Sequence, residues 1–224
     1  MDAKAIFDKA LRDNLDRLEI ELPARQAQTL WAHHCAVVEA NRQFNLTRIT
    51  DPEQAAVKHY ADSLALIRWV RDAGLEVRSV LDVGTGAGVP AVPLAVVEPH
   101  WQVTAIDGTA KKINFVAEAV RQISLENLTA IHARAEHWNS NRHFDLVLFK
   151  AIGSLERCLK WGRPHVARGA YVVVFKTAAM PDEERSAGST AAGALGFADA
   201  EVFRYELALC GETLSRALWN FRLR

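Results

Sequence analysis

The sequence predicts an α/β fold: a mainly parallel sheet wound with crossover helices, closed by a C-terminal antiparallel hairpin and preceded by an N-terminal helical extension. Three observations carry this. Residues 1–72 place apolar side chains at steps of three and four, the period of amphipathic helices. From residue 78 onward short apolar runs alternate with helical segments, as parallel strands joined by crossovers require. The last two strand-like runs are separated by Cys210-Gly211-Glu212, a hairpin connection. The chain therefore divides into 1–72, the extension, and 73–224, the domain built on the sheet.

Each element has its own signal. Phe7, Leu11, Leu15 and Leu18 mark the first helix. A second begins at Pro23, whose fixed φ suits a first turn, and is expected to bury Ala27, Leu30, Trp31, Cys35 and Val38. A third begins at Asp51-Pro52, a cap followed by proline, and carries Val57, Tyr60, Leu64 and Ile67 inward. Strands are expected at 79–83, 102–107, 128–132, 144–149 and 170–175, with helices at 90–97, 110–123 and 155–164 between them. A polar helix over 181–193 leads to the hairpin strands, 200–209 and 213–223.

The chain has 224 residues, enough for one substantial core. With 50% hydrophobic and 24% charged residues it is a globular composition, far from that of a disordered chain. No apolar run approaches membrane-spanning length, and the first residues lack the apolar block of a signal peptide, so a cytoplasmic protein with no membrane partner is expected. Cys35, Cys158 and Cys210 are far apart and form no metal-like pair; they read as reduced core thiols, with no metal site. Net charge is zero, so the total demands no polyanionic partner. Basic residues nevertheless cluster at Arg42 and Arg48, at Lys111-Lys112, and from Lys150 to Arg168.

The most informative stretch is Val80-Leu81-Asp82-Val83-Gly84-Thr85-Gly86-Ala87-Gly88, an apolar strand running into three glycines at alternate positions. Glycine lets the chain turn sharply and a ligand approach the backbone with no Cβ in the way. A dinucleotide fingerprint would place its third glycine one residue later, where this chain has Val89. Asp82, two residues before the first glycine, fits a site for the amino end of a methionine moiety. Asp107 ends the next strand, where a carboxylate can accept hydrogen bonds from both ribose hydroxyls. Ala135-Glu136 comes after the third strand, where an adenine would lie. Together these resemble motif I and its companions in S-adenosylmethionine methyltransferases, and the parallel sheet with a closing hairpin is the class I, Rossmann-like pattern of those enzymes.

The residues just after the fourth strand bear on the acceptor. Amino-group methyltransferases carry an Asn/Asp-Pro-Pro-aromatic motif there, and this chain has Phe149-Lys150-Ala151-Ile152. Cytosine-C5 methylation needs a thiolate, and Cys158 falls within a predicted helix as a packing residue. An acceptor that is already nucleophilic, such as guanine N7, needs only alignment with the sulfonium, and no catalytic residue is assigned.

Asn45-Leu46-Thr47, His59 with Asp62-Ser63-Leu64, the glycine loop with Pro90 and Pro93-Leu94-Ala95, Asp107 followed by Lys111-Lys112, and Arg134-Ala135-Glu136 occur in the order of one family. Over residues 40–176 the chain resembles the bacterial small-subunit (16S) rRNA guanine-N7 methyltransferases, the RsmG/GidB family. The resemblance implies S-adenosyl-L-methionine as cofactor and small-subunit rRNA, or the small ribosomal subunit, as partner, with no obligate protein partner. It places Gly84, Val89, Ala135, Glu136 and Lys150 against the cofactor, beside Asp82, Gly86, Gly88 and Asp107. Asn45, His59, Asp62, Lys111 and Lys176 fall on the acceptor side. His59 and Asp62, one helical turn apart, also read as a structural pair, and Asn45 and Thr47 as a turn.

Three departures surround the cleft. Ala91 stands where the family has the glycine of Gly-x-Pro-Gly, Phe149-Lys150-Ala151 where it has Ser-Arg-Ala, and Lys176-Thr177 where it has Lys-Gly. Lysine keeps the charge of arginine without its planar fork. A diverged relative methylating a small molecule or a protein, or a binding module without activity, are the other readings.

Overall fold

A computed structural model describes residues 2–224. Its elements run α1 (Ala3–Arg17), α2 (Ala24–Asn41), α3 (Pro52–Ala55), a π-helical turn (Ala56–Ala61), α4 (Asp62–Asp72), β1 (Ser79–Val83), α5 (Ala91–Val97), β2 (Gln102–Asp107), α6 (Ala110–Gln122), β3 (Leu128–His132), β4 (Phe144–Lys150), α7 (Leu155–Gly162), β5 (Val166–Thr177), α8 (Asp182–Leu195), β6 (Glu201–Leu209) and β7 (Glu212–Arg222). The seven strands form one sheet in the order β3-β2-β1-β4-β5-β7-β6. β1 to β5 pair in parallel and β7 is antiparallel to both β5 and β6. The expected α/β class, its parallel sheet and its closing hairpin are all present.

Strand order follows from the sequence. β1 and β4 are mostly apolar and nearly wholly buried, as central parallel strands must be. β3, with exposed Thr129 and His132, takes one edge. β6, with exposed Glu201, Arg204 and Glu206, takes the other. Three helices, α1, α3 and α7, begin at a side chain that satisfies a free N–H group: Asp2 accepts from Ala5 N at 2.7 Å, Asp51 from Gln54 N at 2.9 Å, and Ser154 from Arg157 N at 3.4 Å.

One core cluster joins α1, α2, α4, α5 and α6 to one face of the sheet, and a second packs α7 and α8 on the other. Phe7 shows how the first helix is held: it is fully buried and contacts Trp31, His34 and Tyr60 ring to ring at 5.1 to 5.3 Å. Asn14, also buried, adds a polar anchor. Its Oδ1 accepts from Ala208 N at 2.7 Å and its Nδ2 donates to Ala208 O at 3.0 Å, so an amide on α1 occupies the open hydrogen-bonding side of edge strand β6.

Three expectations are corrected. α2 starts at Ala24, with Pro23 as its cap, and buries Leu30, His33, His34 and Val37, leaving Cys35 exposed. The turn of the face follows the Phe7 contact, since α1 packs over His34 and Trp31. Cys210 also lies exposed, at the hairpin tip, so Cys158 alone is a core thiol. Residues 52–72 are one helical element interrupted by a π turn, in which the Asp62 N–H donates to Val57 O; this rotates the element and leaves Ile67 only half-buried.

Phe7→Ala should lower unfolding free energy by about 3–5 kcal/mol, since a buried aromatic is lost without collapse of its site. Urea unfolding measures this, and a loss under about 1 kcal/mol would show that α1 is not part of the cooperative core.

Candidate functional site

The site lies at the C-terminal ends of β1, β2 and β4, where crossovers leave in opposite directions and open a crevice. Gly84, Gly86 and Gly88 have φ of +73°, +58° and +83°, the left-handed region that side chains disfavour. A Cβ on Gly84 would come within 2.5 Å of Ile152 Cδ1, and one on Gly88 within 2.9 Å of Val92 Cγ2. At Gly86 it would meet nothing nearer than the Gly84 oxygen, at 3.9 Å, so this glycine faces open space.

Two cavities meet at Gly84. The smaller, about 270 Å³, is lined by Val83, Asp107, Gly108, Ala133, Ala135 and Glu136, among others. The larger, about 700 Å³, is lined by Leu46 to Ile49, Lys58, His59, Asp62, Gly84 to Ala87, Val89, Lys112, Lys150 to Ile152 and Arg216, with other residues of β6 and β7. They lie on either side of the glycine loop, with Gly84 in both linings. A third cavity of about 720 Å³ lies between α1 and α2, with an apolar floor of Leu11, Leu15 and Ile20; it touches neither loop nor strand ends and carries no assignment.

The two aspartates of the loop region differ in what they face. Asp107 borders the smaller cavity, accepts from Gly86 N at 3.1 Å and Thr109 N at 2.8 Å, and has Lys112 Nζ 3.8 Å away. Asp82 borders neither cavity. It is buried beneath the loop, where its Oδ2 accepts from Ala91 N at 3.2 Å, and burial drives its carboxyl up to about 7. From there Asp82 braces the start of α5.

On the opposite wall Asp62 is a hub. Arg216 Nε and Nη2 donate to its two oxygens at 2.8 and 3.1 Å, Tyr205 donates to Oδ1 at 2.7 Å, and Lys150 Nζ lies 2.8 Å from Oδ2. Burial alone would raise this carboxyl, but Lys150 and Arg216 outweigh it and hold it at about 2. Lys150 also donates to Lys58 O at 2.7 Å, locking the end of β4 onto the π turn. His59, from that turn, pairs through Nε2 with Thr47 Oγ1 at 3.3 Å; burial first, then Lys150, lowers it to about 3, so its imidazole is neutral.

Of the expected residues, the cavities bring together Gly84, Gly86, Val89, Asp107, Ala135, Glu136, Lys150, His59 and Asp62. Gly88 packs beneath, against His33. Asn45 is exposed outside the lining, which begins at Leu46. Lys111 points to solvent because its neighbour Lys112 takes the inward position on α6. Lys176 turns away to Glu184 at 2.6 Å and Gly153 O at 2.7 Å, and Thr177 takes its place in the lining. Cys158 is buried and its thiol pushed up to about 12 by burial, the state of a packing thiol.

Arg216, Tyr205 and His33 were not legible as site residues. Arg216 alternates with Leu214 and Leu218 on a half-buried strand face, and a charge in such a row was the available signal. His33 similarly falls in step with Leu30 and Val37 on α2. Among the described residues, no group of three or more His, Cys, Asp or Glu side chains is arranged to hold a metal, and no helix is long and apolar enough to cross a membrane.

Residues 26–203 match the family described as rRNA small subunit methyltransferase G. Proteins of that name from Microcystis aeruginosa and Legionella pneumophila are each 38% identical to this chain, over 62% and 64% of it respectively and 66% of their own length. One from Alteromonas mediterranea is 37% identical over 67% of this chain and 69% of its own. Among solved structures, a precorrin-6Y C5,15-methyltransferase from Geobacter metallireducens superposes with a TM-score of 0.54 at 14% identity, covering 69% of this chain and 85% of that one. An O-methyltransferase from Thermotoga maritima gives 0.53 at 14% identity, covering 84% and 71%. Both share the class I methyltransferase fold.

Asp82→Asn isolates the buried carboxyl, because the amide oxygen can still accept from Ala91. Asp82 ionises in the unfolded chain near pH 4 but in the folded one near 7, so its favourable contribution is complete below pH 4 and is lost as pH rises through 7. The variant should therefore gain on the parent between pH 4 and 7, by at most about 4 kcal/mol. A stability difference that stays constant with pH would place Asp82 in water.

Proposed function

We propose, from the premise that the chain belongs to the rRNA small subunit methyltransferase G family, that it transfers a methyl group from S-adenosylmethionine to N7 of a guanosine in small-subunit rRNA. The observation that carries the acceptor class is a local charge inversion. The whole chain is neutral, yet the larger cavity is lined by Arg48, Lys58, Lys112, Lys150 and Arg216 against the single acid Asp62. A polyanion is drawn to such a mouth, and phosphate contacts on the rim would orient a base within it.

The cofactor fits the residues present. Gly86 leaves the space a Cβ would fill, Asp107 presents a carboxylate for ribose hydroxyls, and Ala135 and Glu136 border the cavity suited to adenine. When bound, the cofactor supplies an electrophilic methyl on a sulfonium. The rest is positioning by the chain. Guanine N7 carries its own lone pair, so no group need remove a proton; His59 is neutral and Asp62 is bound by three partners, which suits walls that orient rather than exchange protons. Lys150, in place of the family arginine, offers a point charge, while the planar fork at Asp62 comes from Arg216. In this reading residues 1–72 are an extension covering the acceptor side of a catalytic unit at 73–224, and the protein works in the cytoplasm on small ribosomal subunits.

The test is transfer of radiolabelled methyl from S-adenosylmethionine to small subunits from a strain lacking this gene, followed by nucleoside analysis. Labelled 7-methylguanosine is expected. Cofactor binding without label in the RNA would overturn the acceptor. Separately, Asp107→Ala should weaken cofactor binding by calorimetry at least about tenfold, the loss of charge-assisted hydrogen bonds; unchanged affinity would remove Asp107 from the site.

A further inference from the structure

Beneath the glycine loop lies a polar chain. His33, on α2, is fully buried. Its Nε2 is 3.1 Å from Ala87 O and its Nδ1 is 2.8 Å from the Tyr60 hydroxyl. A carbonyl oxygen can only accept, so Nε2 carries the proton; Nδ1 is then the acceptor, and Tyr60 donates to it. Burial lowers His33 to about 4, which keeps the imidazole neutral and this direction of donation fixed. Donation runs one way, from Tyr60 on the π turn through His33 to the backbone of the loop.

The Ala87 oxygen sits at the point where the loop turns. Backbone N–H groups of Gly84 and Thr85 donate to Ile106 O, those of Gly88 and Val89 to Thr85 O, and that of Val92 to Gly88 O; His33 supplies the donor for Ala87 O. The same ring fills the space beside Gly88, whose added Cβ would lie 3.3 Å from Nε2. Ala87 itself packs on Val37 and Leu46, which joins α2, the segment before the π turn and the loop in one small apolar cluster. At its other end the chain meets the acceptor wall, because Tyr60 is next to His59 and close to Lys58, whose carbonyl holds Lys150.

We infer that His33 is a positioning residue for the cofactor: through the Tyr60–His33–Ala87 hydrogen bonds it holds the Gly86-Ala87-Gly88 turn in its ligand-accepting shape and fixes that turn to the π turn bearing His59. The inference rests on the cofactor reading above. Its consequence is that the extension shapes the cofactor site from below, in addition to covering the acceptor side.

The experiment measures affinity for S-adenosylhomocysteine by calorimetry, alongside thermal unfolding, in the full chain and three variants. His33→Phe keeps the ring volume and removes both hydrogen bonds; His33→Gln can return the donor to Ala87 O from its amide nitrogen; Tyr60→Phe removes one oxygen. His33→Phe should bind roughly tenfold more weakly, His33→Gln within about threefold of the parent, and Tyr60→Phe at an intermediate level. A general loss of packing would lower melting temperature in the Gln variant as well and would not return affinity, so recovery by Gln separates positioning from stability. Unchanged affinity in His33→Phe, or Gln as weak as Phe, overturns the inference. Should His33→Phe fail to fold, Tyr60→Phe decides it: unchanged affinity there breaks the chain. Failure of the parent protein to bind S-adenosylhomocysteine would overturn the cofactor reading, and the inference with it.

Discussion

Asp62 is the group on which the arrangement of the larger cavity depends. A carboxylate taken out of water is costly unless its lone pairs are filled and its charge is met. Here Tyr205 from β6, Arg216 from β7 and Lys150 from β4 all converge on it, and it stands at the first residue of α4. None of these four elements can shift without leaving a buried charge short of a partner. The helical N-terminus, the ends of the parallel strands and the closing hairpin are therefore fixed to one another at the cavity wall. That wall keeps a cationic surplus after Asp62 is compensated, because Lys58, Lys112 and Arg48 also border it.

The fold was readable because its signals are local. Each strand of the parallel sheet is a continuous apolar run bounded by turn residues, and β1, β2 and β3 occupy 79–83, 102–107 and 128–132, the expected bounds. The glycine loop was readable for the same reason, since three positive φ values in five residues leave few alternatives to glycine. The departures are of another kind. Which face of α2 turns inward depends on Phe7, on a separate helix, and the choice of Lys112 over Lys111 depends on the axial rotation of α6. Arg216 and Asp62 are separated by 154 positions, and no spacing rule joins them. The π turn, too, is one extra residue in a helical run, invisible to a pattern of threes and fours.

The two loop aspartates show how far motif chemistry carries. Both were expected beside the cofactor, and both lie within reach of the same glycine turn. Asp107 ends its strand and faces outward to the smaller cavity; Asp82 sits one residue before the end of β1, where the pleat directs it inward to the base of α5. The result is one carboxylate on a cavity wall and one bonded to the backbone at the start of α5. His33 completes that support from the other side, so the turn is held by a carboxyl below α5 and an imidazole on α2.

Asn14 gives the fold a temporal order. It joins α1 to Ala208 on β6, 194 positions later. During synthesis Phe7 can meet Trp31, His34 and Tyr60 once residue 60 has emerged, whereas the Asn14 amide has no backbone to pair with until β6 follows. The polar anchor therefore depends on one of the last segments of the chain to be made, while the aromatic one does not. A chain that stops before β6 would keep every residue that Phe7 touches and lose the backbone that Asn14 pairs with.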